Sequence, residues 1–212
     1  TTLETWLICN YKIESSFKMD KQTENKVRII NKTFESVKRD NKSLGSVSLE
    51  EVAKELSMPL EELTSFFLTV EDIYLNEQQR SNRKLRNFLE SGLSEVKTAN
   101  DAKELFENTI RMFVKSLPDY ADVVWSATFY IPKCLEERNK TKIYLKKTFK
   151  KIIKKGWPGK IESVLDRQTD LVVLSFYGLL EYCARANKKE RKDIVEDFIN
   201  MLNLHLQDRL FF

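Results

Sequence analysis

Glycine, proline, histidine and cysteine are all scarce in this chain of 212 residues, which contains 5 Gly, 4 Pro, 1 His and 3 Cys. So few turn formers, together with almost no alternating Val/Ile/Thr runs, argue against a β-rich fold. The single histidine, His205, has no cluster of cysteines or acids at metal-ligand spacing around it, so we expect no metal site. The chain also lacks a glycine-rich phosphate loop and a nucleophile elbow, so we expect neither enzyme activity nor a cofactor.

The three cysteines, Cys9, Cys134 and Cys183, are odd in number and scattered. This pattern argues against a disulfide framework and is typical of free thiols in a reducing compartment. No run approaches the roughly 18 apolar residues of a membrane span, and residues 1–18 lack a basic start followed by a long apolar core. We therefore expect a cytoplasmic protein without a membrane partner.

Charged and apolar residues in helical patterns make up most of the sequence. Charged residues are 32% and apolar residues 42% of the chain, and long stretches repeat their apolar residues every three or four positions. This predicts an all-α protein with enough apolar material for a core. The formal net charge of +4 permits a nucleic-acid partner without requiring one, because 32 acids offset 36 bases.

Two short helical patterns with a tight break between them lie within residues 46–74. Ser48 is placed to cap the first helix. In the second, Leu60, Leu63 and Phe67 fall on one face and predict a buried stripe. Two such helices joined by a turn are typical of a helix-turn-helix, although any corner between two helices of a larger bundle gives the same pattern.

Three stretches resemble the tetracycline-repressor (TetR/AcrR) family. Residues 48–56 (SLEEVAKEL) resemble the family's Thr-x-x-x-Ile-Ala-x-x-Ala. Residues 63–67 (LTSFF) are similar to its Leu-Tyr-x-His/Tyr-Phe. Residues 71–73 (EDI) resemble the Lys-Glu-x-Leu start of its fourth helix. The glycine turn at 156–159 and the Gly-Leu at 178–179 fit the family's last helices more weakly. The resemblance implies a homodimer that binds double-stranded operator DNA and an unknown small-molecule effector.

The resemblance also implies three parts of the chain. Residues 1–21 form an N-terminal extension, which we expect to be flexible or loosely packed. Residues 22–74 form a three-helix helix-turn-helix domain that binds DNA. Residues 75–212 form a helical bundle that binds the ligand and dimerises.

Several positions depart from the family pattern in ways that weaken an interaction with DNA. Residues 57–59 (SMP) replace the Gly-Val-Ser before the recognition helix, Glu61 and Glu62 follow at its start, and Val70 replaces a lysine. Residues 26–90 contain eleven basic and eleven acidic residues, whereas DNA affinity comes largely from cations that displace counterions. Either the basic side chains cluster on one face, or DNA affinity is weak or lost.

The candidate DNA contacts are hydroxyl and neighbouring side chains of the two short helices, with one lysine from the loop before them. In a helix-turn-helix the second helix enters the major groove, where Thr64 and Ser65 would face away from the apolar stripe. The full set of candidates is Ser48, Leu60, Thr64, Ser65, Phe66, Thr69 and Lys42.

The C-terminal part supplies candidates for a pocket and for an interface. Ligand pockets are mostly apolar and aromatic, and the pocket candidates are Phe106, Phe113, Trp125, Phe129, Tyr144, Phe176 and Tyr177. The last two helices are apolar on more than one stripe, which suggests a two-fold four-helix interface. The interface candidates are Leu171, Leu174, Leu179, Tyr182, Phe198, Leu202 and Leu206.

The sequence therefore predicts a TetR-like transcriptional repressor whose DNA affinity is controlled by a ligand in the C-terminal domain. The alternative is a helical dimer of the same fold that binds a small molecule or a protein, with weak or lost DNA binding. A basic run over residues 138–160 is interpreted as a solvated helix face, and otherwise as a surface for an anionic partner.

Overall fold

The computed structural model describes residues 20–159 and 161–208, apart from the side chains of residues 205, 207 and 208. The predicted all-α class is confirmed, since these residues contain no strand. None of the described helices combines the length and the apolarity needed to cross a bilayer. The helices are α1 Lys21–Arg39, α2 Leu49–Leu56, α3 Leu60–Phe66, α4 Val70–Glu95, α5 Ala99–Lys115, α6 Ala121–Tyr130, α7 Pro132–Gly156, α8 Glu162–Arg185 and α9 Lys188–Asp208.

Most of the predicted N-terminal extension, residues 1–19, lies outside the described residues. Its last two positions form the start of α1. Asp20 caps this helix, because its Oδ1 accepts a hydrogen bond from the Thr23 amide at 2.7 Å. Lys21 is the first helical residue.

The turn between α2 and α3 depends on a serine in the left-handed conformation. Ser48 caps α2 as predicted, because its Oγ accepts a hydrogen bond from the Glu51 amide at 3.2 Å. At the other end, Ser57 has a φ of 49° and a ψ of 42°. The following amide, of Met58, donates to the carbonyl of Ala53 at 2.9 Å. This closes the end of α2 and redirects the chain into α3.

Replacing Ser57 by glycine should raise the free energy of unfolding by about 1 kcal/mol, because the left-handed region is less costly without a Cβ. Urea unfolding followed by circular dichroism measures the change. The matched control is Ser65→Gly, which places glycine inside the regular helix α3 and should lower stability. A loss of stability in Ser57→Gly would contradict the left-handed turn.

A first hydrophobic cluster holds the N-terminal helices together around Phe34 of α1. The Phe34 ring is fully buried, stacks on Tyr120 with centroids 5.0 Å apart, and packs against Tyr74 at 5.2 Å. Residues far beyond the predicted domain end at residue 74 complete this cluster: Tyr120, Ala127, Ile131 and Cys134. Helices α1–α3 therefore share their core with α6 and the start of α7 and do not form a separate core.

A second hydrophobic cluster is built from α4, α5, α7, α8 and α9. At its centre Phe149 of α7 meets Phe106 of α5 edge-on at 5.1 Å and Phe176 of α8 at 6.0 Å. Helix α9 closes the cluster with buried aliphatic side chains, including Ile199. Most of the apolar surface of the C-terminal part is buried here.

Helix α4 belongs to both clusters. It contributes Tyr74 to the first and Leu85 to the second. A capping box with Thr69 fixes its start, and Asp72 also accepts a hydrogen bond from Lys133 Nζ of α7 at 2.8 Å. This lysine lowers the pKa of Asp72. Helix α4 is continuous over 26 residues and therefore joins the two clusters.

Candidate functional site

Thr64 and Ser65 lie on the outer side of α3. Ser65 is exposed and Thr64 is half-buried, whereas Leu63 on the core side of α3 is fully buried. The Thr64 hydroxyl donates to the carbonyl of Glu61 at 3.0 Å, and the Ser65 hydroxyl donates to that of Glu62 at 2.6 Å. Their donor capacity is therefore used within the helix, and their lone pairs remain able to accept a hydrogen bond from a partner.

The predicted apolar stripe of α3 is correct for two of its three residues. Leu63 and Phe67 are 0% and 3% exposed, but Leu60 is 39% exposed. Leu60 begins the helix one turn before Leu63 and lies beyond the edge of the core. A second leucine, Leu68 in the loop before α4, is 80% exposed.

The other predicted DNA contacts already have partners within the protein. The hydroxyls of Ser48 and Thr69 accept hydrogen bonds from the first-turn amides of α2 and α4. Phe66 is half-buried against the first cluster. The ammonium of Lys42 lies 3.5 Å from the carboxylates of two acidic neighbours, which neutralise its charge.

The surface around α2 and α3 is acidic. Residues 40–72 contain two basic residues, Lys42 and Lys54, and eight acidic residues. Glu61 and Glu62 at the start of α3 are exposed. The basic side chains of the N-terminal part do not cluster on this face, so its electrostatic attraction for DNA is weak.

A cavity of about 80 Å³ lies beside the middle of α4. Helices α4 to α8 line it, and its walls are mainly apolar. The lining residues include Glu77, Gln78, Asn82, Leu85, Phe113, Val124, Trp125, Thr128, Arg138, Thr141, Leu145, Phe176, Tyr177 and Leu180.

Three aromatic rings surround the guanidinium of Arg138 at the cavity. Its Cζ lies 4.2 Å from the ring centroid of Phe129, 5.2 Å from that of Tyr177 and 5.6 Å from that of Trp125. Ring faces stabilise a cation without neutralising its charge. Burial raises the pKa of Tyr177 to about 12, so this phenol stays protonated at neutral pH.

Three buried polar atoms of the cavity lining have no hydrogen-bond partner in the described part of the chain: Gln78 Oε1, Trp125 Nε1 and Arg138 Nε. The nearby acids are already engaged by other groups. Glu77, which is 2% exposed, pairs with Arg80 at 2.7 Å, and Glu137 accepts a hydrogen bond from Asn82 at 3.0 Å. A buried polar atom without a partner costs free energy, so these atoms leave unused hydrogen-bonding capacity at the cavity wall.

Four of the seven predicted pocket residues line this cavity: Phe113, Trp125, Phe176 and Tyr177. The other three do not line it. Phe106 packs inside the second cluster, Tyr144 donates to Glu90 at 3.1 Å, and Phe129 is 41% exposed and touches Arg138 from outside the cavity. Aromatic composition alone does not distinguish these environments.

Sequence reasoning missed Arg138, which it placed in a solvated basic run. A signal was present in the spacing of α7. Cys134, Thr141 and Leu145 are buried. Position 138 lies four residues after Cys134 and three residues before Thr141. Helical periodicity therefore places Arg138 on the inward face.

The rest of the basic run lies mainly on an outer face beside α8. Lys146 pairs with Asp170 at 2.7 Å and Lys150 pairs with Asp166 at 2.7 Å. These pairs support its interpretation as a solvated face. Lys160 lies outside the described residues.

The predicted interface residues divide into two groups. Leu171, Leu174 and Tyr182 are exposed along α8, and a Cβ placed at Gly178 on the same face would meet no heavy atom within 4 Å. The other four are buried in the chain's own core: Leu179, Phe198, Leu202 and Leu206. On α9 the exposed apolar side chains are Met201 and Leu204.

Neither a metal site nor a reactive thiol stands out among the described residues. They contain no group of three or more His, Cys, Asp or Glu side chains placed to hold a metal ion. Cys134 and Cys183 are free and buried, and burial raises the pKa of each to about 11. Cys9 and the side chain of His205 lie outside the described residues.

No protein-family model matches the chain, and a search of curated proteins found no match.

Proposed function

We propose that this protein is a ligand-responsive transcriptional regulator of the TetR type, acting as a repressor. In this proposal α2 and α3 bind operator DNA, and a small effector binds in the cavity beside α4. The observation that carries the proposal is the position of α4, which packs Tyr74 into the N-terminal core and presents Gln78 and Leu85 to the cavity. An occupant of the cavity changes the packing of α4, and the DNA-binding helices move with it.

Control of this kind requires an effector that distinguishes two arrangements. A ligand shifts a conformational equilibrium only by the difference between its affinities for the two states. We propose that the two states differ in the tilt of α4 and hence in the spacing of two symmetric pairs of DNA-binding helices. Dimeric helix-turn-helix proteins bind half-sites about 34 Å apart, so a small tilt changes DNA affinity.

The homodimer is proposed along the exposed apolar face of α8 and α9. Leu171, Leu174 and Tyr182 of α8 and Met201 and Leu204 of α9 remain exposed in the single chain. Glycine at position 178 allows a second helix to approach this face closely. Two copies of the α8–α9 pair would form the four-helix arrangement that buries these side chains.

The acidic charge of the surface around α3 favours a second candidate function. Glu61 and Glu62 are exposed beside Leu60 and Leu68, which gives a face that is both acidic and partly apolar. Such a face suits a basic, partly apolar protein surface better than DNA. In this alternative the dimer keeps its cavity but acts on a protein partner.

Charge reversal on α3 tests which partner this face binds. The double variant Glu61→Lys/Glu62→Lys changes the net charge by four units and should raise affinity for a duplex at least about tenfold at low salt, because each cation near a phosphate releases counterions. Fluorescence anisotropy with a labelled duplex from the region upstream of the gene measures the affinity.

The matched control carries the same charge change away from α3. Glu95→Lys/Glu104→Lys reverses two exposed acids at the end of α4 and in α5. It should leave DNA affinity nearly unchanged. Equal effects of the two double variants would show that α3 does not face DNA and would favour the second candidate.

A further inference from the structure

The charge balance of the cavity is incomplete. Glu77 and Arg138 are its charged lining residues, and Glu77 is already paired with Arg80 at 2.7 Å. Among the described residues no carboxylate lies within ion-pairing distance of Arg138, whereas Lys146 and Lys150 of the same helix each pair with an acid. The cavity therefore carries an unneutralised positive charge.

The guanidinium of Arg138 lies among aromatic rings, and its Nε has no hydrogen-bond partner among the described residues. The Cζ of Arg138 lies within 5.6 Å of the ring centroids of Phe129, Tyr177 and Trp125. These rings surround the guanidinium with apolar surface. A guanidinium donates its hydrogen bonds in its own plane, in a fork that matches the two oxygens of a carboxylate. These rings also supply flat apolar walls for the body of a ligand.

The unpartnered polar atoms define what else the occupant must carry. Arg138 Nε and Trp125 Nε1 are donors and require an acceptor. Gln78 Oε1 is an acceptor on a side chain that is only 6% exposed, and it requires a hydroxyl or an N–H group. A single anionic group and a single donor, separated by apolar surface, satisfy all three atoms.

Other ligand classes fit less well. A cation would meet the positive charge of Arg138. A phosphate dianion would find one guanidinium and one indole N–H, which is too few donors for three oxygens and two charges. A neutral apolar molecule would leave all three polar atoms without partners.

We infer that the cavity beside α4, which is partly open to solvent, binds a small organic monocarboxylate that it does not fully enclose, with a flat apolar body and a hydroxyl or N–H group remote from the carboxylate. The carboxylate accepts hydrogen bonds from Arg138 and Trp125, and the remote group donates to Gln78. The inference rests on the proposed function only in naming this occupant as the effector.

Isothermal titration calorimetry with three matched probes tests this ligand class. The probes are 4-hydroxybenzoate, benzoate, which lacks the remote donor, and 4-hydroxybenzamide, which lacks the charge. The wild-type protein should bind 4-hydroxybenzoate more tightly than either of the others. Equal affinity for the acid and the amide, or no binding of either acid at millimolar concentration, would overturn the inference.

Variants then assign the contacts. Arg138→Met should weaken 4-hydroxybenzoate binding at least about tenfold, because a charge-assisted hydrogen bond is lost, and should leave 4-hydroxybenzamide binding little changed. Gln78→Leu should remove the preference for 4-hydroxybenzoate over benzoate. The matched control Lys142→Met replaces an exposed cation of the same helix and should have no effect. Equal losses in Arg138→Met and Lys142→Met would overturn the assignment.

Circular dichroism would show whether Arg138→Met misfolds. If it does, a second variant tests the same contact. Trp125→Phe keeps the aromatic wall and removes only the Nε1 donor, so it should weaken the carboxylate more than the amide. If it weakens neither, the inference is wrong.

The proposed function can fail separately from this inference. Carboxylate binding that depends on Arg138 but leaves DNA affinity unchanged would support the ligand class and contradict ligand-controlled DNA binding. A carboxylate-dependent change in DNA affinity that persists in Arg138→Met would support ligand-controlled DNA binding and contradict the role of Arg138 in binding the carboxylate.

Discussion

Alanine in place of Phe34 should destabilise the N-terminal helices by about 3–5 kcal/mol, the usual cost of removing a fully buried aromatic ring. The ring is 0% exposed and packs against both Tyr120 and Tyr74, so its loss leaves a cavity among α1, α4 and α6. Hydrogen exchange followed by mass spectrometry should show faster exchange in α1–α3, with little change in α5 and α8.

The matched control removes an equally buried ring from the other cluster. Phe106 is 2% exposed and packs against Phe149 in the C-terminal core. Phe106→Ala should accelerate exchange in α5, α7 and α8 first. If both variants accelerate exchange uniformly along the chain, the two clusters do not behave as separate units joined through α4.

Arginine in place of Leu174 should convert the proposed dimer into a monomer. Leu174 is 55% exposed on α8, so the substitution leaves the fold of the single chain intact but places a charge at the centre of an apolar interface. Sedimentation equilibrium should give twice the chain mass of 25.0 kDa for the wild-type protein and 25.0 kDa for the variant.

Ile143→Arg is the control for this prediction. Ile143 is 58% exposed on α7, so it has similar exposure on a different face, and its replacement should leave the dimer intact. Dissociation in both variants, or a wild-type protein that sediments as a monomer, would contradict the proposed interface.

The helical class could be predicted from the sequence because it depends on periodicity and on caps. Ser48 caps the helix that it was expected to begin. The division between core and interface could not be predicted in the same way. Leu174 and Leu179 both belong to apolar stripes of α8, yet one is exposed and the other is buried, because the packing of α7 and α9 determines which stripe meets the core.

The cavity was harder to predict than the fold. Its aromatic lining was partly foreseen, since Trp125 and Tyr177 do line it. Its polar groups come from different helices, Gln78 from α4 and Arg138 from α7, and only the tertiary structure brings them to one site. Arg138 was also hidden by a run of solvated lysines around it.

The charge count left open whether the basic side chains of the N-terminal part cluster on one face. Equal numbers of acids and bases over residues 26–90 still allowed a basic face. The exposure of Glu61 and Glu62 at the start of α3 makes the face itself acidic. Any DNA affinity must then depend on hydrogen bonds and on the pairing of two chains more than on charge.

Selection of duplexes from a random pool by the purified protein at low salt tests DNA recognition most directly. A symmetric pair of DNA-binding helices predicts enrichment of an inverted repeat with half-sites about one helical turn apart, and Leu174→Arg should abolish it. A pool that stays unenriched after repeated rounds would contradict DNA recognition by α2 and α3 and leave a protein partner as the function of this face.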